Sequence, residues 1–346
     1  MLYYFLYKLN KSCYNIKGGN KMRISIIGTG AYGLALSLMF NENDNDIIMW
    51  TKLENELEEL STKHSNERVL PGVKIPDNIK FTNNMEDAVK DRELIVIAVP
   101  AAFVDNVASE LKNYYKKEQH ICIATKGIEN DTCLFVNDVL QKYIKTDNVA
   151  VISGPSFAVD IAKKVPIGLS LGTTNKKTEK MLKDSLQNKY LKLRPTHDIL
   201  GIEICGSIKN VIAIAAGMLD GMRLPESTQA MFITESLHDI KELIKALGGD
   251  GKTILSFAGF GDLLLTSTST KSRNFSFGRL IGENQPKEVI EDYKNKTTIE
   301  GLYTLKSIHK LIKNKEVDIP IIDLIYDIVF NGHDCSNLQT FLISKK

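Results

Sequence analysis

Three glycines constrain this chain more than any other feature of its sequence. Gly28 and Gly30 follow the apolar run RISII, and Gly33 lies at the start of the helical pattern AYGLALSL that comes next. In that frame the first glycine allows a tight turn, the second lets a pyrophosphate approach the backbone, and the third lets helix and strand pack closely. The amide groups of the helix would then face the phosphates. The motif therefore predicts a dinucleotide-binding domain that begins near Met22.

The first half of the chain alternates between strand and helix patterns. Six further apolar runs are separated by polar or amphipathic stretches, and they span 46–51, 93–100, 120–127, 148–155, 167–174 and 190–196. Continuous apolar runs are typical of strands that are buried on both faces of a parallel sheet. The pattern predicts an α/β, Rossmann-type doubly wound sheet.

The second half of the chain has only helical patterns. They cover residues 199–220, 228–247, 251–265, 274–283, 286–293, 299–314 and 319–330. The change of pattern predicts a domain boundary near residue 198. We expect a dinucleotide-binding domain over residues 22–198 and an all-α substrate domain over residues 199–346.

Residues 1–21 precede the predicted fold as an N-terminal extension. The apolar run from Leu2 to Tyr7 is interrupted by Lys8 and is too short for a signal-peptide core. It is also shorter than the about 20 apolar residues that span a membrane. A targeting segment stays open, although the arginines of a transit peptide are missing. The favoured interpretation is a disordered tail or an upstream start codon.

Charge and cysteine content exclude several classes of function. The formal net charge of +2 is too small to indicate a nucleic-acid or membrane-surface binder. The five cysteines form no C-x-x-C pair, and the six histidines show no metal-ligand spacing. This pattern indicates reduced thiols in a cytoplasmic protein without a metal site.

One lysine, Lys209, interrupts the buried-helix pattern SIKNVIAIAAGMLDG. Its neighbours at helical spacing are apolar or small, namely Ile202, Cys205, Ile212, Ala213 and Ala216. A charged lysine is costly in such surroundings. Taken alone, the helix favours a side chain that extends its charged end to solvent over a catalytic amine with a lowered pKa.

The end of the second strand bears on the choice of cofactor. A site for NAD usually ends this strand with an acid that bonds the ribose hydroxyls. Here Thr51 and Lys52 occupy the tip, and Glu54 comes too late to replace that acid. Lys52 could meet a 2′-phosphate, which favours NADP(H), although a surface lysine would look the same. The expected cofactor is therefore NADPH or NADH.

Two strand ends carry polar residues at the edge where open parallel sheets bind ligands. Lys126, in the segment ATKGIE, lies just past a strand, and Ser153, Gly154 and Ser156 lie at the same edge one strand later. A loop lysine is normally solvated, so for Lys126 a functional and a structural interpretation are about equally supported.

A third polar group lies in the helical half. Asp262 lies between a glycine and leucines in GFGDLLLT, and Ser272, Arg273 and Asn274 follow. An arginine beside hydroxyl and amide groups suits the binding of a phosphate or an oxyanion. The structural alternative is a helix cap with a surface arginine.

From Met22 to about Gly332 the chain resembles the NAD(P)-dependent glycerol-3-phosphate dehydrogenases. The resemblance rests on the glycine motif and on seven segments in family-like order: AVP (98–100), ATKGIE (124–129), SGPSFA (153–158), KNVIAIAAGMLDG (209–221), GFGDLLLT (259–266), SRNFSFG (272–278) and IEG (299–301). Each segment alone could arise by chance, whereas eight in this order are highly specific.

The resemblance implies a role for each matching residue. Lys209 matches the catalytic lysine that exchanges a proton with the C2 hydroxyl. The substrate-contacting positions match Lys126, Gly154, Ser156, Asp262, Ser272, Arg273 and Asn274. The cofactor-contacting positions match Gly28, Gly30, Ala31, Tyr32, Gly33, Lys52, Lys126, Ala158, Arg273 and Glu300.

The reaction implied by the resemblance is hydride transfer between NAD(P)H and dihydroxyacetone phosphate, which gives sn-glycerol 3-phosphate for phospholipid synthesis. A cytoplasmic homodimer without nucleic-acid partner or membrane span is expected.

The helix of Lys209 begins at the predicted domain boundary, and we expect Asp262 and Arg273 to lie near this lysine. These two features now favour Lys209 as the catalytic group. Two alternatives are another two-domain dehydrogenase with a catalytic lysine, which would lack SRNFSFG, and a non-catalytic nucleotide-sensing module.

One stretch, GMRLPESTQAMFITESLHD at 221–239, departs from the family pattern. Ser227, Gln229 and Glu235 replace an asparagine, a lysine and an arginine of that pattern. Replacing two cations by a neutral and an acidic group changes the local charge. The departures put in doubt any dimer contact or regulatory site that the resemblance implies for this helix.

Overall fold

A computed structural model of the chain describes residues 21–313 and 315–344. The prediction of a disordered extension therefore falls, apart from Lys21, outside the described residues.

Among the described residues, eight strands form one sheet in the first half of the chain. They are β1 (Arg23–Ile27), β2 (Asp46–Trp50), β3 (Lys80–Thr82), β4 (Leu94–Ile97), β5 (His120–Ile123), β6 (Val149–Ser153), β7 (Ile167–Gly172) and β8 (Leu191–Thr196). The spatial order is β3-β2-β1-β4-β5-β6-β7-β8. Strands β1 to β6 pair in parallel, so their carboxyl ends share one edge.

Two features of the sheet differ from the sequence-based prediction. The pair β6–β7 is antiparallel, so β7 and β8 run against the other six strands. The chain between them carries only a five-residue helix and reverses direction instead of crossing back over the sheet. Strand β3 was not predicted, because three partly exposed residues at a sheet edge carry no readable pattern.

Besides a 3-10 turn at Ala101–Phe103, seven α-helices connect or flank these strands in the described part of the chain. They are α1 (Ala31–Asn41), α2 (Glu54–Lys63), α3 (Met85–Val89), α4 (Val104–Leu111), α5 (Val136–Tyr143), α6 (Ala158–Ala162) and α7 (Lys176–Leu186). They cover the two apolar faces of the sheet, and the central strands are completely buried. This arrangement confirms the doubly wound α/β fold.

Eight α-helices follow the last strand within the residues that the structure describes. They are α8 (Ile199–Gly221), α9 (Glu226–Leu247), α10 (Asp262–Ser267), α11 (Arg273–Gly282), α12 (Lys287–Lys296), α13 (Glu300–Ile312), α14 (Pro320–Asn331) and α15 (Ser336–Ile343). The second half is therefore helical, as predicted, with α15 as an additional helix. The division into two domains near residue 198 stays a prediction.

The helix predicted over 251–265 is interrupted. A 3-10 turn at Gly251–Leu255 and a π-helical turn at Phe257–Gly261 precede α10. Gly259 is non-helical, and a Cβ atom there would lie 2.2 Å from the carbonyl oxygen of Ile254. The irregular turns bring the start of α10, and with it Asp262, towards the sheet edge, where Gly261 lies against Pro155.

Helix α8 is the central element of the helical half. By length and composition it could cross a membrane, but 89% of its apolar window is buried inside the fold. That burial is typical of the core helix of a soluble protein. The loop after β5 reaches into the same core, because Ile128, Cys133 and Phe135 pack in one cluster with α8.

Candidate active site

The glycine loop, residues 28–33, joins β1 to α1 at the carboxyl edge of the sheet. Gly28 has a φ of +119°, and a Cβ atom there would lie 2.8 Å from the carbonyl oxygen of Ala98. A Cβ on Gly33 would lie 2.2 Å from the carbonyl oxygen of Gly28. Both positions therefore require glycine, one for its backbone conformation and both for close packing.

Gly30 differs from Gly28 and Gly33 because, apart from its own chain neighbours, no described residue has an atom within 4 Å of the position of its Cβ. No side chain in the described ranges caps the N-terminus of α1 there. Open space next to uncapped helix amides fits the pyrophosphate of a dinucleotide.

Three charged side chains from distant parts of the chain meet at this edge, and we call them the lysine cluster: Lys126, Lys209 and Asp262. Nζ of Lys209 donates to Oδ1 of Asp262 at 2.7 Å. Nζ of Lys126 donates to Oδ2 of the same carboxylate at 2.6 Å. One carboxylate therefore bridges two lysines, and the side chain of Asp262 is only 2% exposed.

Further hydrogen bonds fix the two amines. Nζ of Lys209 also donates to Oγ1 of Thr266 at 3.1 Å, and Thr266 donates to the carbonyl oxygen of Asp262 one helical turn earlier. Nζ of Lys126 donates to the carbonyl oxygen of Gly154 at 3.2 Å. The orientation of each amine is thus set by two acceptors.

Burial and charge shift the pKa values within the cluster in different directions. Burial, reinforced by the nearby cation of Lys126, lowers the pKa of Lys209 to about 8, although Asp262 opposes the change. Burial also acts on Lys126, but the carboxylate of Asp262 outweighs it and raises the pKa of that lysine. Burial alone would raise the pKa of Asp262, whereas the two lysines hold it below its usual value. Lys209 is therefore the member of the cluster that changes protonation near neutral pH.

Tyr32 connects the glycine loop with the lysine cluster. Its hydroxyl lies 3.2 Å from Oγ of Ser156, and Nζ of Lys126 lies 5.6 Å from the centre of its ring. Oγ of Ser156 donates to the carbonyl oxygen of Gly154 at 2.9 Å. The predicted cofactor and substrate positions at these strand ends are thus in direct contact, and Ala158 follows as the first residue of α6.

Arg273, Asn274 and Glu300 lie at the starts of two helices. Nη2 of Arg273 is 3.7 Å from Oε1 of Glu300, whose Oε2 accepts from Nδ2 of Asn210 at 3.1 Å. Oδ1 of Asn274 accepts from the amide of Gly301 at 2.9 Å. The N-termini of α11 and α13 are therefore held side by side, next to the helix that carries Lys209.

Ser272 caps a helix, as the structural alternative for this segment predicts. Its Oγ accepts from the backbone amide of Phe275 at 3.3 Å at the N-terminus of α11. The guanidinium of Arg273 stays half-exposed beside it. A helix N-terminus with a half-exposed cation beside it suits the binding of an anion.

A cavity of about 250 Å³ opens beside Lys126 between the sheet edge and α13. Its lining includes Pro100, Phe103, Thr298, Glu300 and Tyr303. A larger cavity of about 610 Å³ lies around the C-terminal end of α1 and contains none of the predicted site residues. We therefore associate the chemistry with the smaller cavity, since it borders the lysine cluster.

The structure adds residues that sequence reasoning missed. Thr266 contacts the amine of Lys209, and Asn210 links α8 to Glu300. Both could have been found, because Thr266 lies one turn after Asp262 in the same motif and Asn210 adjoins Lys209. Phe103 is exposed on the cavity and carried no sequence signal.

Lys52 and the three departures from the family pattern lie outside the cluster. Lys52 is exposed just after β2. Gln229 donates from Nε2 to the carbonyl oxygen of Ala216 at 3.0 Å, while Ser227 and Glu235 are exposed on α9. Within the described ranges no group of three or more His, Cys, Asp or Glu residues could hold a metal ion.

Two family descriptions match successive parts of the chain. "NAD-dependent glycerol-3-phosphate dehydrogenase N-terminus" matches residues 23–179, and the corresponding "C-terminus" matches residues 198–340. Together they cover the strands β1 to β7 and most of the helical half.

Individual relatives carry the same description. A glycerol-3-phosphate dehydrogenase (NAD(P)+) of Agathobacter rectalis is 36% identical over 309 residues, which is 89% of this chain and 91% of the relative. A protein of the same name from Fusobacterium nucleatum is 34% identical over 318 residues, 91% of this chain and 94% of the relative. The crystal structure of glycerol-3-phosphate dehydrogenase from Coxiella burnetii superposes with a TM-score of 0.87 at 29% identity, covering 94% of this chain and 99% of that one.

Proposed function

The chain belongs to the NAD-dependent glycerol-3-phosphate dehydrogenase family, and we propose that the lysine cluster carries the reaction. The enzyme interconverts dihydroxyacetone phosphate and sn-glycerol 3-phosphate with NADH or NADPH. The observation that supports the proposal for the cluster is one buried carboxylate, Asp262, that bridges the amines of Lys126 and Lys209.

Lys209 is the proposed proton donor and acceptor. A bound nicotinamide supplies or accepts the hydride at C2 of the substrate. In reduction the ammonium of Lys209 donates a proton to the oxygen on C2, and in oxidation the neutral amine takes that proton back. With its pKa lowered to about 8, both forms of Lys209 are accessible near neutral pH.

Asp262 and Thr266 orient the reacting amine. Two acceptors at 2.7 and 3.1 Å leave one N–H position of the ammonium to face the substrate. The side chain of Lys209 is only 11% exposed, so water has little access to that position. Proton exchange is thereby directed to the substrate oxygen.

The remaining substrate positions suit the charged end of the molecule. Lys126 presents a partly buried cation, anchored to Gly154, with Ser156 next to that anchor. Arg273 presents a half-exposed guanidinium, and Asn274 keeps its Nδ2 amide group available because Oδ1 serves Gly301. With the cap of Ser272 they form a phosphate clamp at the N-terminus of α11.

The dinucleotide fits the glycine loop and its surroundings. Gly28, Gly30 and Gly33 shape the turn, and the first residues of α1, Ala31 and Tyr32, supply uncapped amides and a ring. Three more positions complete the proposed cofactor site at neighbouring element ends: Lys52, Ala158 and Glu300.

We further propose that the enzyme acts as a cytoplasmic homodimer and supplies sn-glycerol 3-phosphate for phospholipid synthesis. The scattered cysteines and small net charge support the location. Light scattering of the purified protein tests the dimer, and a single-subunit mass would contradict it.

Replacing Lys209 by alanine tests the proposed chemistry. We expect turnover to be lost in both directions while NADH binding persists, because the lysine serves the proton and not the dinucleotide. Cofactor binding is followed by the fluorescence of Trp50, the chain's single tryptophan, which ends β2. Lys163→Ala, at an exposed lysine between β6 and β7, is the control and should keep full turnover. Near-normal turnover of the Lys209→Ala enzyme would overturn the assignment.

A further inference from the structure

Strand β7 is antiparallel to β6, and it begins at the edge of the sheet where β6 ends. Ser153 is the register partner of Ser170, so residues 167–170 lie at the carboxyl edge of the six parallel strands. The same edge carries the lysine cluster. The reversal therefore places the start of a strand beside the candidate active site.

The start of β7 packs against the residue that anchors Lys126. A Cβ atom on Gly154 would lie 2.4 Å from the carbonyl oxygen of Gly168 and 3.1 Å from Cα of Leu169. The carbonyl oxygen of Gly154 accepts from Nζ of Lys126 at 3.2 Å. The place of this anchor is therefore fixed by close backbone packing against β7.

One face of β7 carries only small residues. Gly168, Ser170 and Gly172 occupy alternate positions of the strand and therefore share a face. A Cβ atom on Gly168 would lie 2.7 Å from the ring of Phe257, and one on Gly172 would lie 2.9 Å from Cδ1 of Ile202. The helical half thus approaches this face more closely than larger side chains would allow.

A hydrogen bond joins this face to the turn at Phe257–Gly261, which leads to Asp262. The backbone N–H of Ala258 donates to Oγ of Ser170 at 3.1 Å. Ser170 is only 1% exposed and Ala258 is completely buried, so water could not replace the hydroxyl as acceptor. A buried donor without a partner is costly, and the turn would have to move to satisfy it.

The ring of Phe257 makes a second contact between the turn and the sheet. It lies against Gly168, and the guanidinium carbon of Arg194 lies over the ring at 4.7 Å from its centre. Arg194, on β8, is the register partner of Ser170. A guanidinium over an aromatic face is attracted to it. Strands β7 and β8 therefore hold the ring on two sides and restrict the turn.

We propose that β7 sets the distances within the lysine cluster, and that Ser170 and Phe257 are positioning residues for the reaction. The strand lies between the anchor of Lys126 and the turn that leads to Asp262. Movement of the turn relative to β7 would take the carboxylate away from its two amines. The inference rests on the proposed function, because it requires the lysine cluster to carry the reaction.

Ser170→Ala tests the hydrogen bond to the turn, because it removes the acceptor of Ala258 and adds no atom. We expect kcat/KM for oxidation of sn-glycerol 3-phosphate to fall by about 10-fold to 100-fold, since a displacement of about 1 Å in a catalytic group has such an effect. The affinity for NADH should be unchanged, because the glycine loop is not altered.

The pH profile of kcat/KM distinguishes positioning from a merely structural role. Burial lowers the pKa of Lys209 to about 8, and Asp262 opposes that effect. Lys126 adds to the lowering, and Glu300 adds to the opposition. A more distant Asp262 leaves burial less opposed, so the inflection near pH 8 should move to lower pH in Ser170→Ala. A loss of stability alone would not move it.

Thr173→Val is the matched control. Oγ1 of the buried Thr173 donates to the carbonyl oxygen of Val149 at 2.7 Å, so this variant also removes a buried hydrogen bond next to β7. Thr173 follows the opposite end of the strand from the lysine cluster. We expect thermal stability to fall in both variants, and the pH profile to change only in Ser170→Ala.

Two substitutions, alone and together, test the contact of Phe257. Gly168→Ala places a methyl group 2.7 Å from Cε1 and Cζ of the ring and should displace the turn, with the same loss and the same pH shift as Ser170→Ala. Phe257→Leu removes these two ring atoms. The double variant should therefore be no less active than Phe257→Leu, whereas independent effects would multiply.

The outcomes separate this inference from the proposed function. An unchanged inflection in Ser170→Ala, or one moved to higher pH as added hydration would cause, would overturn the inference even if Lys209→Ala is inactive. Multiplied losses in the double variant would show that Phe257 does not position the turn. Near-normal turnover of Lys209→Ala would contradict the proposed function, and the inference with it.

Discussion

The glycine loop and the lysine cluster lie at the same edge of the sheet, yet they are built in opposite ways. The loop spans six residues and works through backbone, since a Cβ on Gly28 or Gly33 would collide with a carbonyl oxygen. The cluster joins three side chains from positions 126, 209 and 262, and it works through charge. We therefore expect the loop to be sensitive to a Cβ atom added at Gly28 or Gly33, and the cluster to be sensitive to the loss of one charged partner. The following predictions test that contrast, from the largest expected effect to the smallest.

The largest effect is expected from Asp262→Asn, because it removes the carboxylate that two buried lysines share. Breaking a buried ion pair on one side costs about 3–5 kcal/mol of folding free energy. We also expect turnover to fall at least about 100-fold, because Lys209 loses the acceptor that orients it. Urea unfolding and steady-state kinetics measure the two losses.

Asp292→Asn is the control for that variant, because it removes one partner of an exposed i,i+4 pair with Lys296. No measurable change in stability is expected from it. If Asp262→Asn were as harmless as Asp292→Asn, the cluster would not depend on charge pairing.

The glycine loop offers a matched pair of methyl additions. Gly33→Ala places a Cβ 2.2 Å from a carbonyl oxygen and should destabilise the protein by about 1–3 kcal/mol. The methyl group of Gly30→Ala has no atom within 4 Å in the described residues other than its chain neighbours, so stability should be unchanged. The binding of NADH and NADPH should become weaker, because the methyl group fills the space for the pyrophosphate. Thermal unfolding and cofactor titration distinguish them. Unchanged cofactor affinity in Gly30→Ala would place the pyrophosphate elsewhere.

The titration of Lys209 should be visible in the pH profile of catalysis. With a pKa of about 8, kcat/KM for oxidation of sn-glycerol 3-phosphate should rise with pH through about 8 and then level off. The same titration should make folding more favourable as pH rises from about 8 to 10.5, because the unfolded lysine still binds its proton there. A profile without an inflection near 8 would contradict the role of Lys209 as proton acceptor.

The smallest effect concerns a buried carboxyl without a cation. Glu203, on α8, accepts the backbone N–H of Asn137 at 2.8 Å, and burial raises its pKa to about 8. Between pH 4.5 and 8 the folded state therefore binds more protons than the unfolded state, so this residue lowers stability as pH rises. The decrease in the free energy of unfolding between pH 5 and pH 8 should be at least about 1 kcal/mol smaller in Glu203→Gln than in the unmodified protein. Urea unfolding at both pH values measures this difference. An unchanged pH dependence would show that Glu203 is already ionised in the folded protein.

Sequence reasoning succeeded where structure is encoded locally. The turn at Gly28, the buried runs of β4 to β6 and the helical periodicity of α8 all depend on near neighbours in the chain. It failed at β3, at the reversal between β6 and β7, and at the irregular turns around Gly259, because each depends on what the segment packs against.

In the candidate site, too, local features could be predicted from the sequence and contacts between distant residues could not. The sequence by itself determined the glycine loop, the family and the identity of the charged residues, since each is a matter of residue type at a fixed spacing. Only the tertiary structure decided that one carboxylate serves both Lys126 and Lys209, and that Thr266 completes the contacts of the amine of Lys209. The physical reason is that a charge takes its pKa from burial and from partners within a few ångströms, and residues 53 or 136 positions apart become partners only when the chain has folded.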